Sequence, residues 1–233
     1  MPETVNRRRI WVSAAAIALS AALLAVETTL WKNKQYYLTS VIIILLAFAM
    51  LFARFERRRP QVREIVILAV MTALAVAGRA AFYWAPQFKP VCAIVIITAV
   101  AFNAEAGFIT GAAAGLVSNF FFGQGPWTPW QMLGFGLVGF FAGLIFYDKE
   151  VKKLPLLLYG FFSVFIVYGV IVDTGSLFMY SQAVSWKALL AMYASGLVFN
   201  LIHAAGTVIF LWLLSDPLLS KLKRIKIKYG MLR

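Results

Sequence analysis

The sequence predicts an all-α integral membrane protein of eight spans, and three observations predict it. Of 233 residues, 62% are hydrophobic and 13% charged, with a mean hydropathy of +0.83. A soluble domain is nearer about 45 to 50% apolar and about 25% charged. Eight apolar runs alternate with short polar or basic breaks, most near the roughly 17 to 25 residues that cross a bilayer as a helix. The positive charges, finally, concentrate in alternate breaks, as membrane topology requires.

The first two runs, residues 10–30 and 38–52, flank the polar turn Trp31, Lys32, Asn33, Lys34, Gln35 and predict a helical hairpin. A basic break over residues 54–64, containing Arg57, Arg58, Arg59 and Pro60, separates this hairpin from the remaining runs. The chain thus divides into a hairpin with its linker, 1–62, and a six-span domain with a basic tail, 63–233. The six later runs are 65–83, 90–102, 105–122, 130–147, 154–172 and 186–214. Run 90–102 is too short, at about 1.5 Å per residue, for a hydrocarbon core of about 30 Å, so it needs tilt or shelter from neighbours. Arg7 to Arg9 before an Ala-rich run also resemble a secretory signal, but a signal core is about 7 to 15 residues and this run is longer.

Charge sets the orientation. Arg7, Arg8, Arg9, Arg54, Arg57, Arg58, Arg59, Arg63, Lys149, Lys152, Lys153, Lys221, Lys223, Arg224, Lys226, Lys228 and Arg233 fall on one side, and only Lys32, Lys34, Arg79, Lys89 and Lys187 on the other. Positively charged loops stay inside, so both termini are cytoplasmic. A net charge of +13 otherwise suggests nucleic acid. Here the basic residues sit in separate loops at helix ends, facing anionic lipid, and no nucleic-acid partner is expected.

The outer face collects aromatic and polar residues. Trp31, Trp84, Trp127, Trp130 and Trp186 lie there, against Trp11 and Trp212 inside. Residues 123–131 (Gly123, Gln124, Gly125, Pro126, Trp127, Thr128, Pro129, Trp130, Gln131) read as a non-helical lid, because two prolines and two glycines oppose a helix. With Phe82, Tyr83, Trp84, Phe88, Tyr180 and Trp186 they predict an enclosed site for a flat or partly apolar ligand. Arg79, Asn119, Gln131 and Asp173 are polar residues in the outer halves of spans, costly in lipid unless they face a cavity or one another. Asn200 and His203 share a deeper helix face. His203 reads first as a packed hydrogen-bonding residue, Cys92 as a small core residue and Glu27 as an interface residue. One cysteine excludes an intrachain disulfide and any multi-cysteine metal site.

No nucleotide-binding lysine motif, His-Glu-x-x-His, Cys-x-x-Cys or Gly-x-Ser-x-Gly occurs, so neither ATP hydrolysis nor other enzymatic chemistry is expected. Small residues recur at four-residue spacing: Ala69, Ala73 and Ala77, then Gly111 and Gly115, then Gly139 and Gly143. Each set lets helix backbones approach closely in lipid.

From Arg63 onward the chain resembles the S component, the substrate-binding membrane subunit of energy-coupling factor (ECF) vitamin transporters. The resemblance rests on six spans with short second and third members, on Ala69 and Ala73, on the stretch Ala106, Gly107, Phe108, Ile109, Thr110, Gly111, and on residues 123–131. Within the family it looks most like the cobalamin-type branch. The resemblance implies a six-helix bundle in the bacterial cell membrane, here preceded by an extra two-helix hairpin. It implies a captured vitamin, cobalamin or a related corrinoid, with riboflavin or pantothenate as the alternative, and no cofactor or metal. It implies partners as well: a transmembrane coupling protein and two cytoplasmic ATPases, with the occupied subunit toppling in the bilayer. Ala69 and Ala73 then match the docking surface. Arg79, Tyr83, Trp84, Asn119, Gln124, Trp127, Trp130, Gln131, Asp173, Asn200 and His203 are the candidate substrate contacts. An ion-coupled carrier and a non-binding scaffold are the rival readings.

Overall fold

A computed structural model of the chain describes residues 7–32, 34–53, 62–180 and 185–229. The described elements are α1 (Arg7–Thr29), α2 (Tyr36–Ala53), α3 (Val62–Ala81), α4 (Val91–Phe102), α5 (Ala104–Phe122), α6 (Trp127–Phe146), α7 (Lys153–Phe162), a π-helical segment (Ser163–Tyr168), α8 (Gly169–Tyr180) and α9 (Trp186–Tyr229). Among the described residues, five helical rods are long and apolar enough to cross a membrane: Trp11–Thr29, Val62–Ala81, Trp127–Phe146, the continuous Lys153–Tyr180, and Trp186–Tyr229. The apolar stretches Tyr36–Ala47 and Val91–Phe102 are shorter, and α5 carries Glu105, Ser118 and Asn119 among its apolar residues.

The short helix α4 forms the middle of the bundle. Its 12 residues rise only about 18 Å. Nearly all are buried, with α3, α5, α6 and α9 packed around them, so neighbours supply the shelter that its length demands. Asn103 then separates α4 from α5 with a single extended residue. Its side-chain oxygen accepts from the Ala106 amide at 2.7 Å, capping an orphan donor at the start of α5.

Glycines set the α5–α6 seam. A Cβ on Gly107 would fall 2.6 Å from the Gly139 carbonyl oxygen, and one on Gly111 2.4 Å from that of Phe135. The two backbones touch there, and Gly143 meets Ala104 in the same way. The close approach expected of the Gly111 and Gly139 motifs is therefore internal packing between α5 and α6.

Three boundaries differ from expectation. Residues 123–131 are non-helical only as far as Pro126, and α6 begins at Trp127 with Pro129 in its first turn. Amides of a first helical turn have no intrahelical acceptor, so a proline there starts a helix as readily as it ends one. The seventh rod runs on past 172 to Tyr180. Asp173 does not end it, because Asn200 Nδ2 donates to its carboxylate at 2.7 Å, and Thr174 pairs with the Tyr193 hydroxyl at 2.9 Å. The last helix, 44 residues through Pro217, is about 66 Å long and so exceeds any hydrocarbon core. Its basic end is held by an ion pair between Lys153 and Asp216 and by Lys226 donating to the Tyr147 hydroxyl at 3.1 Å.

The N-terminal hairpin lies on the α5–α6 side. α2 packs on α5 and α6, and α1 on α2 and α6. Glu27 is not an interface residue: it is buried, accepting from the Thr39 hydroxyl at 2.5 Å and the Gln35 amide at 2.9 Å. The carboxylate thereby ties α1 to the start of α2 across their turn.

Candidate functional site

Helix α3 delivers Arg79 to the end of the bundle where α5 finishes. Its Nη1 donates to Ser118 Oγ at 2.5 Å and Asn119 Oδ1 at 2.8 Å, while the guanidinium lies 5.2 Å from the Phe122 ring centroid. Asn119 is fully buried and passes the network on, its Nδ2 donating to Thr128 Oγ1 and Gln131 Oε1, both at 2.9 Å. Thr128 donates to Gln124 Oε1 at 2.8 Å, and Gln124 Nε2 closes back onto the Leu116 carbonyl at 3.1 Å. Four sequence-predicted residues, Arg79, Asn119, Gln124 and Gln131, thus belong to one polar chain linking α3, α5, the 123–126 loop and α6. The loop turns at Gly123, whose φ of +104° other residues rarely adopt.

The other candidates stand apart from this chain of bonds. Asp173 and Asn200 pair across α8 and α9. His203 is buried deeper, with Nε2 at 3.6 Å from Cys92 Sγ and its ring edge-on to Tyr168 and Phe135. Its Nδ1 has no partner among the described residues. No cluster of three or more metal-ligating side chains occurs among the described residues.

The aromatics do not converge as a lid. Trp84 is 77% and Trp186 80% exposed, and Tyr83, also exposed, stacks on Phe122 at 5.2 Å. Trp127 is half-buried and folds its ring over Gly125. Trp130 is only 8% exposed, stacked on Phe178 at 6.0 Å and lying against Gly175. Its other side borders an apolar cavity of about 180 Å³ whose far wall is Ala21, Leu24 and Ala25 of α1. Phe82, Phe88 and Phe210 form a separate cluster. Identical residue types serve interface, core and site, and only the rotation of each helix distinguishes them.

The sequence profile of the ECF-type riboflavin transporter S component matches residues 59–220. The chain belongs to that family. This S component is a transport subunit that binds substrate rather than an enzyme, and its long apolar helices make it a multi-pass protein of the cytoplasmic membrane. A UPF0397 protein of Vibrio atlanticus is 29% identical over 123 residues, 49% of this chain and 67% of the relative. Two UPF0397 proteins, of Aliivibrio fischeri and Aliivibrio salmonicida, are each 31% identical over 87 residues, 35% of this chain. The S component spans about half the length, 47%, of those two relatives. No solved structure matches the chain.

Two further features bear on how this S component works. Ala69, Ala73 and Ala77 are exposed on α3, together with Val66, Val70 and Leu74, while Leu68, Met71 and Ala75 face the bundle. Ser118 and Lys89 were not singled out by sequence reasoning as site residues. Ser118 was findable as the neighbour of Asn119 at the end of an apolar span. Lys89 carries no local motif, and only the packing of Pro90 on Gly78 sets its loop beside the turn of α3 that bears Arg79.

Proposed function

We propose that this protein is the substrate-specific subunit of an ECF-type importer, capturing a vitamin at the outer face and delivering it inward with a coupling protein and two cytoplasmic ATPases. The observation that carries this reading is the polar chain from Arg79 to Gln124 at one end of a bundle whose residues 59–220 match the family. It gathers polar side chains from α3, α5 and α6 at one end of the bundle, where they are costly in lipid unless they face one another or a cavity.

In this reading the chain has eight spans with both termini inside, a hairpin unit over 1–62 and the S-component unit over 63–233. Arg79, Asn119, Gln124, Gln131, Asp173, Asn200 and His203 contribute polar groups to the site, and Trp127 and Trp130 its aromatic wall. Ala69 and Ala73 receive the coupling protein's helices. Because the hairpin packs on α5 and α6, that face of α3 stays open for docking.

A broad aromatic mouth would favour cobalamin; Tyr83, Trp84 and Trp186 are turned outward, which removes that support. Riboflavin is the second reading, favoured by the matched family. Optical titration of the purified protein with each vitamin separates them, by corrinoid absorbance against flavin fluorescence. Uptake measured in proteoliposomes then tests the assembly: it should require both the partner module and ATP. Uptake by the chain alone, driven by an ion gradient, would show an ion-coupled carrier instead.

A further inference from the structure

Two cations at the outer end of the bundle have no negative partner among the described residues. Arg79 uses only Nη1 in its hydrogen bonds, so Nε and Nη2 meet no acceptor among the described residues. Those two nitrogens form the edge of a guanidinium that grips a carboxylate through paired bonds. Lys89, half-buried in the loop between α3 and α4, has no hydrogen bond or ion pair among the described residues. Its position is fixed by both neighbours in sequence. Pro90 lies on Gly78, where an added Cβ would come within 2.4 Å of the proline ring, and Phe88 lies against Gly206 of α9 at 3.0 Å. The loop that bears Lys89 is therefore held between the turn of α3 that bears Arg79 and the turn of α9 that bears His203.

Asp173, the candidate acid among the predicted contacts, is committed to Asn200 across α8 and α9 and pairs with neither cation among the described residues. Partly buried like charges repel and lose hydration, an arrangement kept only where something offsets the cost. An anion entering between them offsets both at once.

We infer that the substrate carries a single anionic group, a carboxylate or its equivalent, held between the Arg79 guanidinium and the Lys89 ammonium. The inference rests on the chain being a vitamin-binding subunit and narrows the substrate class of that site. With two cations and no wider basic patch, the site suits a monoanion rather than a polyphosphate. Half-buried Gln131 Nε2 and Asn200 Oδ1, which make no hydrogen bond among the described residues, offer a donor and an acceptor for the neutral part of such a molecule.

An anionic lipid headgroup has the same chemistry, so the test separates the two sources. The full-length protein in phosphatidylcholine nanodiscs is titrated with two carboxylate vitamins, pantothenate and biotin, and with their uncharged counterparts, panthenol and biotinamide. Riboflavin and cobalamin complete the panel. The expected result is that one carboxylate vitamin binds about tenfold to a hundredfold more tightly than its uncharged counterpart, the range for a charge-assisted hydrogen bond. Arg79→Gln and Lys89→Ala should each erase most of that ratio. Lys89 makes no hydrogen bond or ion pair among the described residues, so its substitution keeps the test valid should Arg79→Gln fail to fold. Binding of riboflavin or cobalamin with affinity unchanged in Lys89→Ala overturns the inference while leaving the vitamin-transporter reading intact. Binding by no member of the panel overturns both. Saturable binding of phosphatidylglycerol, sensitive to both substitutions and without any vitamin bound, assigns the site to lipid and also overturns the inference.

Discussion

Asn119→Ala is the sharpest test of whether the polar chain organises the end of the bundle where α5 finishes. Asn119 is fully buried and uses its carbonyl oxygen and both amide hydrogens, on Arg79, Thr128 and Gln131. Two of the three bonds are neutral, each about 1 kcal/mol net, and the bond from the guanidinium is about 1.5 to 3 kcal/mol. Part of the loss is recovered, because Arg79 keeps Ser118, Thr128 keeps Gln124, and half-buried Gln131 can turn to water. The net destabilisation expected is about 2 to 4 kcal/mol, or a fall of roughly 4 to 16 °C in unfolding midpoint for a chain of this size. Thermal unfolding of the detergent-solubilised protein, read against Gln124→Ala, supplies the assay. Gln124→Ala breaks only the loop end of the chain and should cost about 1 kcal/mol. The double substitution should cost less than the sum, because the two residues share Thr128. An Asn119→Ala midpoint indistinguishable from that of the parent, or strict additivity with Gln124→Ala, would refute a connected network.

The geometry carries two other expected outcomes. Replacing exposed Ala69 and Ala73 with Trp should abolish module-dependent uptake while leaving the dissociation constant for the vitamin unchanged, measured by transport in proteoliposomes and by titration of the same protein; unaltered uptake would move the docking face elsewhere. Burial, and after it the neighbouring Arg79 charge, lowers the Lys89 ammonium from its ordinary value. Affinity for a carboxylate vitamin should therefore fall with rising pH, beginning below the usual lysine value of about 10.4, and Lys89→Ala should flatten that slope. Folding stability has the opposite sign: in the window between the two values the unfolded chain binds more protons, so stability from this group rises with pH.

Much of the architecture was legible because lipid imposes it. Eight apolar runs correspond to eight helical rods, and the shortest, around Ile94 and Ile97, is sheltered as its length requires. Boundaries misled where local propensity was outvoted. Pro129 reads as a breaker until it falls in a first turn, and Asp173 as a terminus until Asn200 is seen to pair with it. The Arg79, Asn119 and Gln131 set was visible as polar residues in costly places, but their bonding was not, because it depends on how α3, α5 and α6 are rotated against one another. The same gap misled the reading of the aromatics. A Trp at a helix end looks identical whether it turns outward like Trp84 or inward like Trp130. Glu27 was misread for want of its partner, since Thr39 lies on the other arm of the hairpin.

In the proposed docking arrangement, two extra helices must leave the exposed face of α3 clear. Helices added beside α3 would cover Ala69 and Ala73, and with them any surface on which a coupling protein could rest. Packing on α5 and α6 instead leaves that stripe open. It also sets α1 against the outer wall of the cavity behind Trp130, opposite Leu133 and Phe178. The hairpin consequently supports the α6–α8 wall from the lipid side, and the Glu27 to Thr39 bond, far from any proposed ligand contact, fixes the position of that support.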